Sequence, residues 1–192
     1  MARKGLDIPI ILRKATQLID ENGLDQISIG SLAKELEVRP PSLYNHLKGL
    51  DELKQRLAVY GVEKLYDYMV EAAVGRSKDD AVRALSKAYV RFGHEHPGLY
   101  EATFRAPNRS DSELQQAQEA VVQLIVRVFE SYGLKGEMAL HTVRGLRSLL
   151  HGFISIEQMD GFGLPLDLDE SFSIIIDTYL EGIDSIAKRE GR

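Results

Sequence analysis

Between Arg39 and Lys48 the chain reads RPPSLYNHLK. Leu43 and Leu47 lie four apart and share one face of a short helix, which leaves Ser42, Tyr44, Asn45, His46 and Lys48 pointing away from it. A hydroxyl, a phenol, an amide, an imidazole and an ammonium on one outer face supply hydrogen-bonding groups suited to duplex DNA. Major-groove readout needs donors and acceptors at the start of such a helix. Arg39, Ser42 and Asn45 are the side chains best placed for base edges, and Pro40 and Pro41 for apolar contact with a thymine methyl. Tyr44, His46 and Lys48 suit phosphates, which position a protein without reading sequence. Ser28, at the start of the preceding helix, is a further phosphate contact. Arg3 and Lys4 are either backbone contacts from an arm or solvated charges.

Two helices must hold these groups. Ile29, Leu32, Ala33 and Leu36 recur at i, i+3, i+4 and i+7 and define the inner face of the first, with Ser28 as its N-cap. Pro40 forces Arg39 out of helical geometry. Pro41 suits a first helical position, so the second helix is expected over Pro41–Leu47. Two helices joined by a turn of three to four residues describe a helix-turn-helix. The competing reading is an ordinary αα-hairpin in an all-α ligand-binding or protein-interaction module without specific DNA binding. A preceding helix packs through Ile8, Ile11, Leu12, Ala15, Leu18 and Ile19 and stops at Gly23. Leu24 and Ile27 are expected beneath the pair.

The pattern Ala15, Leu18, Gly23, Leu24, Ile27, Ser28, Ile29, Leu32-Ala33-Lys34, Leu36, Val38, Ser42-Leu43-Tyr44, His46, Leu50 and Leu53 resembles the DNA-binding domain of the TetR family of bacterial regulators. In that family Gly usually fills the turn position held here by Glu37, so a non-Gly residue is expected in a costly backbone conformation there. An aromatic usually stands where Leu47 does. HEHPGLYEATF, RSLLHGFISIE and FGLPLDLDESF are similar to a subgroup of the family's C-terminal domains named for a Trp-His-Gly motif, with Leu150 in place of the Trp before His151-Gly152.

The remaining chain carries helical periodicity only. Long helices are expected over Asp51–Val74, from Ser77 or Asp79 as cap to before Pro97, over Ser112–Tyr132, over Glu137–Met159, and from Asp169 or Ser171 onward. The Ser112–Tyr132 segment is apolar on most sides and is expected to be deeply buried. The fold class is thus all-α, with a helix-turn-helix domain over residues 1–50, and the resemblance implies a helical ligand-binding and dimerisation domain over 51–192.

The resemblance implies a homodimer through the last two long helices, a double-stranded operator and a small-molecule effector that releases the repressor. It places the effector against Phe92, His96, Tyr100, Phe104, Leu124 and His151, although residues at such spacing also serve as plain core.

Composition bounds the alternatives. The 192 residues carry a net charge of −5, but the acidic excess lies after Lys48. With no cysteine, disulfides and thiolate zinc sites are excluded. No apolar run approaches the ~20 residues needed to span a bilayer. The start, MARKGLDIP, lacks the apolar core of a signal peptide, so a cytoplasmic location is expected. His94 and His96 diverge on a helix, His141 and His151 are ten apart, and no compact ligand set emerges; no metal and no cofactor is expected. Without a Gly-rich phosphate loop, nucleophile elbow or Cys nucleophile, no catalytic residue is assigned and the chain is not read as an enzyme.

Overall fold

A computed structural model describes residues 6–190, so Arg3 and Lys4 lie outside the described residues. Its elements are α1 (Ile8–Asn22), a single 3-10 turn (Leu24–Gln26), α2 (Ile29–Glu35), α3 (Pro40–Leu43), α4 (Leu50–Ala73), α5 (Lys78–Glu95), α6 (Pro97–Ala102), α7 (Ser112–Glu130), α8 (Gly136–Gln158) and α9 (Leu168–Glu190). No strand occurs among the described residues. The chain is all-α. It forms two compact units: one runs to Leu65 and takes in Phe92–Gln118, the other comprises Tyr66–Arg91 and the chain from Glu119. Residue 50 closes the helix-turn-helix, but the unit containing that motif continues beyond it into α4, α6 and the start of α7.

In the first unit the expected apolar stripes converge. Ile11, Ala15 and Ile19 of α1, Leu32 and Ala33 of α2, and Leu43 and Leu47 are buried together with Leu24, Ile27, Leu53 and Leu57. Burying each large aliphatic side chain of this set is worth about 1.5–3 kcal/mol. Asp7 caps α1 through the Ile10 amide at 2.8 Å. Ser28 caps α2 reciprocally with Ser31: the Ser31 amide donates to Ser28 Oγ, and the Ser28 amide to Ser31 Oγ, both at 3.0 Å.

The end of α2 explains Glu37. Val38 N–H donates to Ala33 O at 3.0 Å and Glu37 N–H to Lys34 O at 3.1 Å. This is the Schellman pattern, which requires the residue between helix and exit to be left-handed. Glu37 accordingly has φ 54°. A left-handed non-Gly residue costs about 1–2 kcal/mol, whereas glycine loses about 0.5–1 kcal/mol of backbone entropy elsewhere. Glu37→Gly is therefore expected to raise stability by about 0.5–1 kcal/mol, read as a shifted urea midpoint at constant slope.

Two sequence expectations are corrected by local geometry. The second helix of the motif starts one residue earlier, at Pro40, and regular α-helix ends at Leu43. The chain still winds on, because the His46 and Leu47 amides both donate to Leu43 O at 2.9 Å. Asp79 does not cap α5; it lies within that helix and accepts the Tyr132 hydroxyl at 2.6 Å.

In the second unit α7 is less buried than its composition suggests. Ile125 and Phe129 are buried, but Val121, Val122, Leu124, Val126 and Val128 are only half-buried. The chain covers one side of the helix, not its whole circumference. On α9, Phe172, Ile176, Leu180 and Ile183 are buried, whereas Ile174 remains 59% exposed. Tyr179 bridges α9 to α8 by donating its hydroxyl to Thr142 O, and burial pushes its phenol up to about 12. Between α8 and α9 lies an open apolar groove of about 610 Å³, bordered by Met138, Thr142, Gly145 and Leu149 on one helix and Ile174, Ile175, Thr178 and Gly182 on the other.

Candidate nucleic-acid interface

The buried pair Leu43 and Leu47 anchors the motif's second helix from below. Above them, Arg39, Pro40, Pro41, Tyr44, Asn45 and Lys48 are exposed, and Ser42 and His46 are half-buried. Tyr44 is 57% exposed, an uncommon degree of exposure for a large aromatic ring. Ser28 is exposed at the head of α2. All nine residues singled out for DNA thus occur in one segment of the first unit, seven of them with solvent-exposed side chains.

The far end of this surface is pinned. Glu52, in the first turn of α4, accepts the Lys48 amide at 2.6 Å. The same carboxylate accepts two N–H bonds from Arg56, at 2.9 and 2.7 Å. The Lys48 amide and then the Arg56 guanidinium hold its pKa below the usual carboxylate range. The Lys48 ammonium is left exposed while its backbone is fixed.

Of the six effector candidates, four come together in the first unit. Phe92 and Tyr100 meet edge to face at 6.3 Å between centroids, Tyr100 and Phe104 at 5.0 Å, and the His96 ring lies 5.6 Å from that of Phe92. Phe92 and Tyr100 are essentially buried. Leu124 and His151 belong to the second unit and are half-buried. Burial, then the nearby Arg147, lowers the pKa of His151.

His96 does something the sequence did not show. Its Nδ1 lies 2.8 Å from Asp20 Oδ2 on α1. The other oxygen of that carboxylate accepts the Leu99 amide at 2.9 Å. One acidic side chain near the end of α1 therefore holds both the residue before α6 and the first turn of α6. Two further features tighten the junction. Gly98 packs so closely on α1 that a Cβ there would sit 2.1 Å from Ile19 O. Arg105, just past α6, pairs with Asp25 through both terminal nitrogens, at 3.1 and 2.9 Å. On the other side, a Cβ at Gly61 of α4 would approach Thr103 Cγ2 at 2.9 Å and Leu99 O at 3.0 Å. The only available sequence signal was a Pro-Gly pair opening a short helix.

A family model for a tetracyclin repressor-like C-terminal domain matches residues 82–179. The chain is 38% identical over 182 residues to an uncharacterized HTH-type transcriptional regulator of Bacillus subtilis, covering 94% of each. It is 32% identical over 175 residues to an uncharacterized HTH-type regulator of Mycobacterium tuberculosis, covering 91% of this chain and 80% of that one. Its fold resembles a Rhodococcus protein of unknown function with TM-score 0.81 at 20% identity, over 95% of this chain and 98% of that one. It also resembles a TetR variant of Acinetobacter baumannii solved with minocycline, with TM-score 0.71 at 17% identity, over the same shares.

Proposed function

This chain belongs to the TetR family of transcriptional regulators, and from that premise we propose that it is a ligand-released repressor, acting in the cytoplasm as a homodimer on a pseudo-palindromic operator. Regulators of the family bind DNA as dimers and respond to small-molecule effectors. The observation that carries the reading here is the outward surface of the motif's second helix, polar and exposed over a buried leucine pair.

Arg39, Ser42 and Asn45 read base edges, and Pro40 lends apolar contact. Tyr44, His46, Lys48 and Ser28 hold phosphates. Two copies related by a two-fold axis present two such helices about 34–36 Å apart, in successive major grooves. The last two long helices, α8 and α9, join the copies. The apolar groove between them supports this assignment, since an exposed apolar surface of that kind on a soluble chain marks an interaction site.

The effector works against Phe92, His96, Tyr100 and Phe104, which cluster in the first unit; the candidates Leu124 and His151 belong to the second unit, taken by itself. His96 and Tyr100 are part of the segment clamped to α1, so an effector that shifts α6 also shifts the reading head. It releases DNA by the difference in its affinity for the two arrangements.

The test is a gel shift with the native chain and three variants. Tyr44→Ala and Lys48→Ala are expected to weaken specific and random duplexes alike, Lys48→Ala lowering the salt slope by about one. Asn45→Ala is expected to change relative base preference, at about 1–3 kcal/mol for the contacted position. Equal losses for all three on every duplex overturn the division of roles. Binding that is absent or indifferent to salt favours an effector-binding module without operator recognition.

A further inference from the structure

In the second unit, α5 and α9 leave a cleft of about 260 Å³, lined by Arg83 and Lys87 on one helix and Phe172, Ser173, Ile176 and Asp177 on the other. Arg83 Nη2 pairs with Asp177 Oδ1 at 2.9 Å. Its Nη1 is closed off from solvent and donates to nothing in the chain. A buried donor without an acceptor is costly, and more so when it is charged. Lys87 lies one turn further along α5, exposed and without an ion-pair partner among the described residues. Two cations against one carboxylate give the cleft a single net positive charge. Its floor is apolar: Phe172 and Ile176 are buried, and the Phe172 ring is held 5.0 Å from that of Phe153.

We propose that this cleft binds a small organic monocarboxylate. The carboxylate accepts from the Lys87 ammonium and, once the guanidinium turns that nitrogen out of its closed-off position, from Arg83 Nη1, and a compact apolar body rests on Phe172 and Ile176. A neutral molecule leaves the single net positive charge of the cleft unanswered, and Asp177 disfavours a dianion such as phosphate. The volume lies just below the usual range for small-molecule sites, which restricts the ligand to one short chain or one ring. Phe172, Ser173, Ile176 and Asp177 lie on a different side of α9 from Ile174, Ile175, Thr178 and Gly182, so occupancy does not compete with use of the α8–α9 groove.

Benzoate is the probe, titrated into the full chain by calorimetry, with benzyl alcohol as the neutral control. Saturable binding of one benzoate per chain is expected, with amide shifts centred on residues 83–87 and 172–177, and no binding of benzyl alcohol. Lys87→Gln, which removes an exposed and unpartnered charge, is expected to leave the melting temperature unchanged and to weaken benzoate by about tenfold. Arg83→Gln is expected to weaken it further. The proposal is overturned if benzoate does not saturate, if the alcohol binds as well, if the shifts lie elsewhere, or if Lys87→Gln binds benzoate undiminished.

Discussion

Gly98→Ala is expected to destabilise the chain by about 3 kcal/mol, the upper part of the range for overpacking a close contact. Alanine is ordinarily the better helix former by about 0.8–1 kcal/mol, so helix propensity alone predicts the opposite sign. Steric contact decides against it. The added methyl would fall 2.1 Å from Ile19 O, 2.3 Å from Ile19 C and 2.8 Å from Asp20 N, all of them backbone atoms that no rotamer change can move. Either α6 withdraws from α1 or α1 bends. Withdrawal stretches both bonds to the Asp20 carboxylate, at 2.8 and 2.9 Å, which fix His96 and the Leu99 amide. Losing a bond to a charged acceptor costs about 1.5–3 kcal/mol each.

Urea unfolding reads the change in stability. Gly30→Ala supplies the contrast: beyond its own helix backbone and chain neighbours, a Cβ there meets only Ser28 Oγ, at 3.8 Å, among the described residues. It is expected to hold or slightly raise stability, because a helical glycine is replaced without a clash. Equal behaviour of the two variants would show that α6 has slack against α1. The proposed coupling of effector to reading head would then lose its mechanical basis.

That junction marks the limit of what the sequence made legible. The motif itself was readable because its causes are local. Ile11, Ala15 and Ile19 repeat at helical spacing, Ser28 precedes an apolar run, and two prolines punctuate the turn. The left-handed Glu37 was also foreseeable, from the glycine the resembling family carries there. Asp20 was not, because it meets His96 and Leu99 across 76 and 79 residues, and no periodicity encodes a contact at that separation. Similarly, the hydrophobicity of α7 identified a helix but overstated its burial, since composition records what a helix is able to cover and not what covers it. The cleft between Arg83 and Asp177 needed both helices in place before the unpaired nitrogen became visible.

Gly182→Glu is expected to have the opposite profile to Gly98→Ala: a firmer single chain and a lost function. Gly182 lies inside α9 and is exposed, and an added Cβ there meets nothing within 4 Å among the described residues beyond its own helix backbone and chain neighbours. Replacing an exposed helical glycine with a good helix former stabilises the chain by about 0.5–1 kcal/mol. The same position borders the groove in which Gly145, Thr142 and Thr178 keep the side chains small between Met138, Leu149, Ile174 and Ile175. In the proposed isologous dimer each copy presents this surface to its counterpart. A glutamate there puts added bulk and an unpaired charge where the partner helix has to approach, and a buried uncompensated charge is strongly destabilising. The variant is therefore expected to sediment as a monomer at micromolar concentration, with a melting temperature that no longer depends on protein concentration. Operator affinity falls with it by about 10²–10⁴-fold, because the second half-site no longer benefits from the first. Binding to an isolated half-site is unaffected. A variant that stays dimeric would show that α8 and α9 do not form the interface. A monomer that keeps full operator affinity would show that the two-fold arrangement of reading heads is not how this chain binds DNA.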